Sequence, residues 1–444
     1  MSFRSAIFDG VWHDRATMKC ALAIAVLVAA GSASAQPGTL TLEQAMRRGV
    51  DVAEDVAIAH ARREQADAAI GRERAALFPT VTATGSYTRR AAEVTRDVDG
   101  MEVVVQSANA FGGNVTVVAP IFDGKVYPLI RAARRSRDAA TLDERESRRR
   151  ATFDTAAAYL VALGAEQIVQ AAVQRRDFAK ARQREVSARV DAQLVGRNDL
   201  TQADLELANA ELEVITGTSA LDEAYQQLAF WTGAAVSGPL VAPTWLYDRA
   251  AKAGAPAVDR ERPDLAAART RIAAAAEEAR EPGRRLWPTL DFTGQVRFTN
   301  EPGLSGRNVD GFVGLVATWE LWDGGTRAAD SRDRAHAVDV AKLEATQVER
   351  QARAEVAAAH ARLRGAQASI VVAESVGAAA ARHAGEVSIL YGKGLVRALE
   401  VVDAGARKFD ADVALVRARV ELAVAYLAVV DAAGGDPLEG APRQ

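Results

Sequence analysis

The chain carries the same architecture twice. "RERAALFPTVTATGSYT" (72–88) is repeated in kind as "PGRRLWPTLDFTGQVRFT" (282–299). "NVTVVAPIFDGK" (114–125) returns as "FVGLVATWELWDGG" (312–325), and the segment 188–213 returns as 388–412. The register drifts by only a few residues, which is the mark of a tandem duplication of roughly 200 residues. Each half reads helix, strand, strand, long helix, turn, helix. Pro79 and Pro288 force Phe78 and Trp287 out of the helical region, and period-2 alternation begins at once. Leu290, Phe292, Gly294, Val296 and Phe298 fall on one face; Asp291, Thr293, Gln295 and Arg297 fall on the other. In the first half Val81, Ala83, Gly85 and Tyr87 oppose a row of threonines and Ser86. The returning strands alternate through Val115, Val117, Ala119 and Ile121, and through Val313, Leu315, Ala317, Trp319 and Leu321. Such segments of about ten residues carry the pattern of transmembrane β-strands. Four strands cannot close a barrel alone, so membrane strands here demand oligomerisation.

The strands end in "FDGK" and "WDGG". Phe78, Phe122, Trp287 and Trp322 all stand where a strand meets a helix, the position of interfacial aromatics in membrane proteins. Asp123 and Asp323 are placed to cap the helices that follow, with glycines making the turn. Those helices are long. Residues 325–390 hold no proline, and 125–194 hold only Pro128, tolerated in a first turn. A run of that length is a rod of roughly 100 Å.

At the N-terminus, "MKCALAIAVLVAAGSASAQ" from Met18 has a basic start, a short apolar run and the small residues Ala33, Ser34 and Ala35. It predicts a secretory signal starting at Met18 and cleaved before Gln36. The one cysteine, Cys20, lies inside it, so disulfides and thiolate metal sites are not expected in the mature chain. No later stretch is expected to cross a membrane as a helix. A formal net charge of −3 argues against nucleic acid as a partner. The histidines His13, His60, His336, His360 and His383 are scattered, with no metal-motif neighbours, and no catalytic constellation or P-loop is present. An enzyme with a cofactor or metal is therefore not expected.

The duplication, the two "PT" junctions, "FDGK" and "WDGGT", "RPDL" (262–265) and "LYGKGLVRALEVVDA" (390–404), in this order, resemble the TolC-like outer-membrane efflux proteins over nearly the whole mature chain. The resemblance implies a mixed α and transmembrane β fold. By that resemblance three chains would share a twelve-stranded barrel, four strands each, which long helices would continue as a periplasmic tunnel. It implies a passive exit duct of a tripartite efflux or type I secretion system. The partners would be two further copies, a periplasmic adaptor, an inner-membrane pump of RND, ABC or MFS type, and outer-membrane lipid.

The expected organisation is a signal and upstream extension (1–35), a first repeat (36–231), a linker or equatorial segment (232–260), a second repeat (261–433) and a tail (434–444). Strands are expected near 80–90, 112–121, 289–299 and 311–321, and long helices over 125–194, 199–231, 325–390 and 397–432. Carried over from the family, Asp199, Glu400 and Asp403 would line the closed periplasmic gate, with Tyr391 as a hydrogen-bonding partner and Arg397 as the neighbouring cation. Glu400 and Asp403, spaced i, i+3, also share a helix face. Gln193, Gly196 and Gly394 mark the tips where an adaptor would dock. The first tip is less typical, with Gln193 in the place of Gly394 and Val190 in that of Tyr391. The competing reading is a secreted structural coiled-coil protein with a small sheet and no channel.

Overall fold

A computed structural model describes residues 40–98, 100–253, 262–301 and 307–437. The expected signal peptide and cleavage site, part of the expected linker and the end of the expected tail lie outside the described residues. The order is α1 (Leu42–Val52), α2 (Glu54–Ala75), β1 (Thr80–Arg89), β2 (Val94–Val98), β3 (Met101–Gln106), β4 (Asn109–Phe122), α3 (Val126–Asp191) and α4 (Arg197–Thr232). There follow α5 (Thr244–Lys252), α6 (Pro263–Glu278), the short α7 (Glu281–Arg284), β5 (Thr289–Thr299), β6 (Val309–Thr318), α8 (Thr326–Gly392) and α9 (Ala398–Ala432).

Four strands form one antiparallel sheet in the order β1-β4-β5-β6. The register turns the alternation of each strand into two coherent faces. Val81, Val117, Gly294 and Val313 stand in one row, and Thr82, Thr116, Gln295 and Phe312 stand in the next, on the opposite side. The polar face is knitted by side chains: Thr84 donates to Asn114, whose amide donates to Thr116 Oγ1 (3.2 Å), as does Gln295 (3.1 Å). Among the described residues, none covers the apolar face. Val81, Tyr87, Phe111, Val296, Val313 and Leu315 are all exposed on it. β1 and β6 are edges, each with one partner.

Two details depart from the expected strands. Ile121 does not continue the row of Val115, Val117 and Ala119. A register shift between Pro120 and Phe122 leaves Ile121 unpaired and sets Phe122 opposite Leu290. Proline cannot donate to the ladder, so a bulge is the natural place for it. In the second half the strand stops at Thr318, short of Trp319 and Leu321. β6 has only β5 to pair with, and β5 begins at Thr289, opposite Thr318. Trp319 instead donates its indole N–H to the Leu286 carbonyl (3.0 Å). The hairpin β2–β3 is an addition that the alternation did not announce.

The caps form at both exits. Asp123 accepts from the Lys125 N–H (3.1 Å), and Asp323 accepts from Gly325 (3.0 Å) and Arg327 (2.7 Å). Gly324 and Gly325 take φ of 68° and 94°, a conformation other residues adopt at a cost. The helices beyond run 66 and 67 residues, about 100 Å each at 1.5 Å per residue. Their packing is written in sevens. Ala172, Ala179 and Val186 on α3, Ala203, Ala210 and Ala224 on α4, Ala345, Ala352, Ala359 and Ala366 on α8, and Ala404, Ala411, Ala418, Ala425 and Ala432 on α9 are all buried. A seven-residue repeat is the spacing of a coiled-coil seam, and alanine on it lets the helices approach closely.

The main core sits part-way along the rods, where α1, α5 and the segment before it wrap α3, α4 and α9. Leu42, Met46, Tyr159, Leu160, Leu228, Leu246 and Leu427 are its largest members. The Tyr159 hydroxyl accepts from the Val241 N–H (2.9 Å) and donates to the Leu40 carbonyl (2.7 Å), which ties the linker to α3. One stretch of α3 is long and apolar enough to cross a membrane by composition, against expectation. Ala156, Tyr159, Leu160, Ala162 and Leu163 of that helix are core residues, so packing accounts for part of its apolarity.

Charge is buried beside this core. Arg149 forms a fork with Glu146 (2.7 and 2.9 Å) and reaches Asp431 at the end of α9. Arg262 of the "RPDL" segment forks onto Asp264 (2.8 and 3.1 Å) and reaches Glu355 on α8 (2.8 Å) and the Ala432 carbonyl (3.3 Å). The two arginines join the first repeat, the start of the second and both of its long helices.

Candidate functional site

The antiparallel register puts the start of β1, the end of β4, the start of β5 and the end of β6 at one end of the sheet. Phe78, Phe122, Trp287 and Trp322 therefore share one rim. Phe122 and Trp287 stack with centroids 6.0 Å apart, Arg284 lies 5.3 Å over Trp287, and Phe78 and Trp322 stand exposed. Apolar rings beside a cationic and backbone-rich boundary suit a surface that is apolar on one side and wet on the other.

At the other sheet end the two halves are pinned together. Glu301 forks with Arg90 and accepts from the Ser107 N–H (2.6 Å), while Asn300 accepts from the Phe111 N–H (2.8 Å) and donates to the Asn109 carbonyl (2.7 Å).

The helical hairpins end in two matched turns. Leu194 N–H bonds the Arg189 carbonyl (2.8 Å), and Leu395 N–H bonds the Leu390 carbonyl (3.0 Å), each closing a helix over a residue with positive φ. That residue is Gly394 (φ 72°) in the second turn and Gln193 (φ 61°) in the first. The first tip thus keeps the geometry of the second with an unfavourable residue. Gly196 is extended, as is its counterpart Arg397. Asp199 and Glu400 lie in the first turns of α4 and α9. Glu400 accepts from the Arg397 N–H (3.4 Å), and Asp403 pairs with Arg407 (2.9 Å). Among the described residues of one chain, no ion pair or hydrogen bond joins Asp199, Glu400 and Asp403 to one another, and Arg397 enters no ion pair. Glu400 and Asp403 are exposed.

Tyr391 is the buried member of the set. It packs with Val387, Val401 and Ala404, and its ring faces Arg182 (3.4 Å from centroid) and Arg189 (5.1 Å), both from the first hairpin. Farther from the tips, Arg175 lies 5.1 Å over Phe409 and pairs with Glu206 (3.0 Å) and Glu213. These arginines were missed in the sequence. Their spacing of seven on a helix with an alanine seam was the available signal. Between the hairpins beside them lies a cavity of about 430 Å³, lined in part by Phe178, Arg182, Val401 and Phe409.

The sequence matches the outer membrane efflux protein family twice, over residues 51–234 and 257–435. The chain belongs to that family. The paired match is the duplication read from the repeated strands and turns. The fold is similar to that of solved outer-membrane proteins at low identity. The Campylobacter jejuni CmeC outer membrane channel aligns with a TM-score of 0.73 at 17% identity, covering 91% of each chain. The outer membrane protein VceC of Vibrio cholerae gives 0.71 at 18%, covering 89% of this chain and 96% of that one. The open state of the Neisseria gonorrhoeae MtrE outer membrane channel gives 0.70 at 17%, covering 89% of each. The sequence matches no curated protein. The family is one of outer-membrane channel proteins without enzymatic activity, with the helical part in the periplasm.

Proposed function

We propose that this protein is the outer-membrane exit duct of a tripartite efflux or type I secretion system, a passive conduit gated at its periplasmic end. The observation that carries the reading is a four-stranded sheet with a bare apolar face and two unpaired edges, set on two helices of about 100 Å each. An edge strand presents unpaired backbone groups, which lipid cannot satisfy. Pairing β6 of one chain with β1 of the next satisfies both edges and repeats until the ring closes. Closure at three chains would give twelve strands. The polar ladder of Thr84, Asn114, Thr116 and Gln295 then faces the lumen, and the apolar rows face lipid. At the far end, tips carrying Gln193, Gly196 and Gly394 are the surfaces an adaptor would meet, and an inner-membrane pump of RND, ABC or MFS type supplies the energy. A secreted structural coiled coil leaves the bare apolar face unexplained.

Three copies of Asp199, Glu400 and Asp403 around a narrow mouth form an acidic ring that concentrates cations. The isolated protein in planar bilayers is expected to show a small, cation-selective conductance that divalent cations block from the periplasmic side. The double variant Glu400→Ala, Asp403→Ala should weaken the block. An unchanged block would remove these residues from the mouth. Recovery of the protein outside the outer-membrane fraction, without heat-sensitive oligomers, would instead favour the structural coiled coil.

A further inference from the structure

Arg175, Arg182 and Arg189 stand seven residues apart on α3 and meet aromatic rings that belong to the second hairpin, Phe409 on α9 and Tyr391 on α8. Arg182 is the informative one. Its side chain is 11% exposed, and its guanidinium sits 3.4 Å from the centroid of the Tyr391 ring. Its Nε and Nη2 are buried and bond no acceptor, and the carboxylate paired with it, Glu185, is 3.5 Å from Nη1. An arginine stays charged in a protein, and a buried charge must be compensated. Here the compensation is the face of a π-system, an interaction that strengthens when it is desolvated. The ring cannot easily leave. Tyr391 is 7% exposed and packed on Val387, Val401 and Ala404. The adjoining cavity of about 430 Å³ means that close packing does not itself hold the hairpins together there.

We propose that Arg182, supported by Arg189, closes on the ring face of Tyr391 as a clasp between the two hairpins, and that this contact holds the periplasmic end shut. The inference rests on the gated-duct reading. It assigns the cationic part of the latch to α3 of the opposite hairpin, and it assigns the closing contact to the ring face of Tyr391 rather than to its hydroxyl or to a tip carboxylate. Arg175 also lies over a ring of the second hairpin, Phe409, farther from the tip, but its charge is met by Glu206 and Glu213.

The test uses the full-length oligomer in lipid bilayers, with spin labels at Leu194 and Leu395, exposed residues of the two turns. Heat-sensitive oligomers on a gel check assembly of each variant. Tyr391→Leu and Arg182→Ala should widen the separation of the labels and shift the closed-to-open ratio by about tenfold per chain. Tyr391→Phe keeps the ring and should leave both readings as in the wild type. If Tyr391→Phe behaves like Tyr391→Leu, the hydroxyl is the latch and the clasp is overturned. Unchanged separation in both Tyr391→Leu and Arg182→Ala also overturns it. Wider separation at unchanged conductance leaves Arg182–Tyr391 as a contact between hairpins but overturns its closing role, together with the gate reading on which that role rests.

Discussion

Two neighbouring residues of β6 offer a controlled comparison of the sheet faces. Val313 is the fifth of the ten residues of the strand, 76% exposed, and its register partner is Gly294, which has no side chain to shield it. Its row continues through Val117 and Val81, so no polar group lies beside it. Phe312, 56% exposed, stands at the same depth on the other face, opposite Gln295 and in line with Thr116 and Thr82. An arginine at Val313 would point into lipid near the middle of an apolar band ~25 Å tall, with half that height to climb to either interface. The expected cost is about 2–4 kcal/mol. That corresponds to a thirtyfold to thousandfold loss in the assembled fraction, taking ~1.4 kcal/mol per tenfold. An arginine at Phe312 meets Gln295, threonine hydroxyls and lumen water, so its cost should be within about 1 kcal/mol. The assay is refolding of each full-length variant from urea into vesicles, with heat-sensitive oligomers on a gel as the readout of assembly. Equal losses for the two variants would refute the assignment of faces, and with it the barrel.

Gln193→Gly should relieve a left-handed conformation that costs a non-glycine residue about 1–2 kcal/mol; slower hydrogen exchange at the first tip is the expected result, and unchanged exchange counts against it. Arg262→Ala strips the cation from Asp264 and Glu355 and should cost about 3–5 kcal/mol, nearer the lower figure because Glu355 is 41% exposed, measured as a fall in thermal midpoint. Acid should find the same place. Burial opposes ionisation of Asp264 and Glu355, but the Arg262 hydrogen bonds and charge outweigh it and hold both carboxyls below their usual range. Their contribution is then fully present above the unfolded carboxyl range, near pH 4, and is lost as pH falls through the lower folded values. The wild type should lose stability on acidification in that window more steeply than Arg262→Ala; parallel curves would show that the pairing contributes nothing.

Local chemistry made much of the fold readable. A proline followed by alternation fixes where a helix gives way to a strand, and β1 and β5 start at Thr80 and Thr289, directly after Pro79 and Pro288. Aspartate and glycine after an aromatic fix the return to helix. Features that depend on partners were not readable. Alternation runs on to Leu321, but β6 ends where its single neighbour ends. Pro120 carried a signal for the bulge that period-2 reading passed over. The hairpin β2–β3 was passed over, although "DVDG" is turn chemistry: Asp97 accepts from the Gly100 N–H (2.9 Å), and Gly100 has a φ of 81°.

The tips show the same division more sharply. Helix-face spacing put Glu400 and Asp403 together, and among the described residues of one chain their carboxylates bond the Arg397 N–H and Arg407. On the proposed trimer, further partners would come from other copies, and nothing local encodes those. The Tyr391 ring is met by arginines 209 and 202 positions earlier in the chain, a pairing that only the folding of one repeat on the other can create. Energetics separates the two ends of the hairpins as well. At the base, Tyr159, Leu228 and Leu427 are fully buried, and Arg149 and Arg262 bind α3, α6, α8 and α9 into one charge network. Near the tips, a cavity and a few cation–ring contacts occupy the space between hairpins. α4 spans 36 residues from tip to core, a lever of about 54 Å. A tilt of about 10° at the well-packed base would carry its tip about 9 Å, far more than a cation–ring contact can follow. On the proposed clasp, a small rotation at a base that stays packed would be enough to part Arg182 from Tyr391, and the cost of opening would fall on that contact.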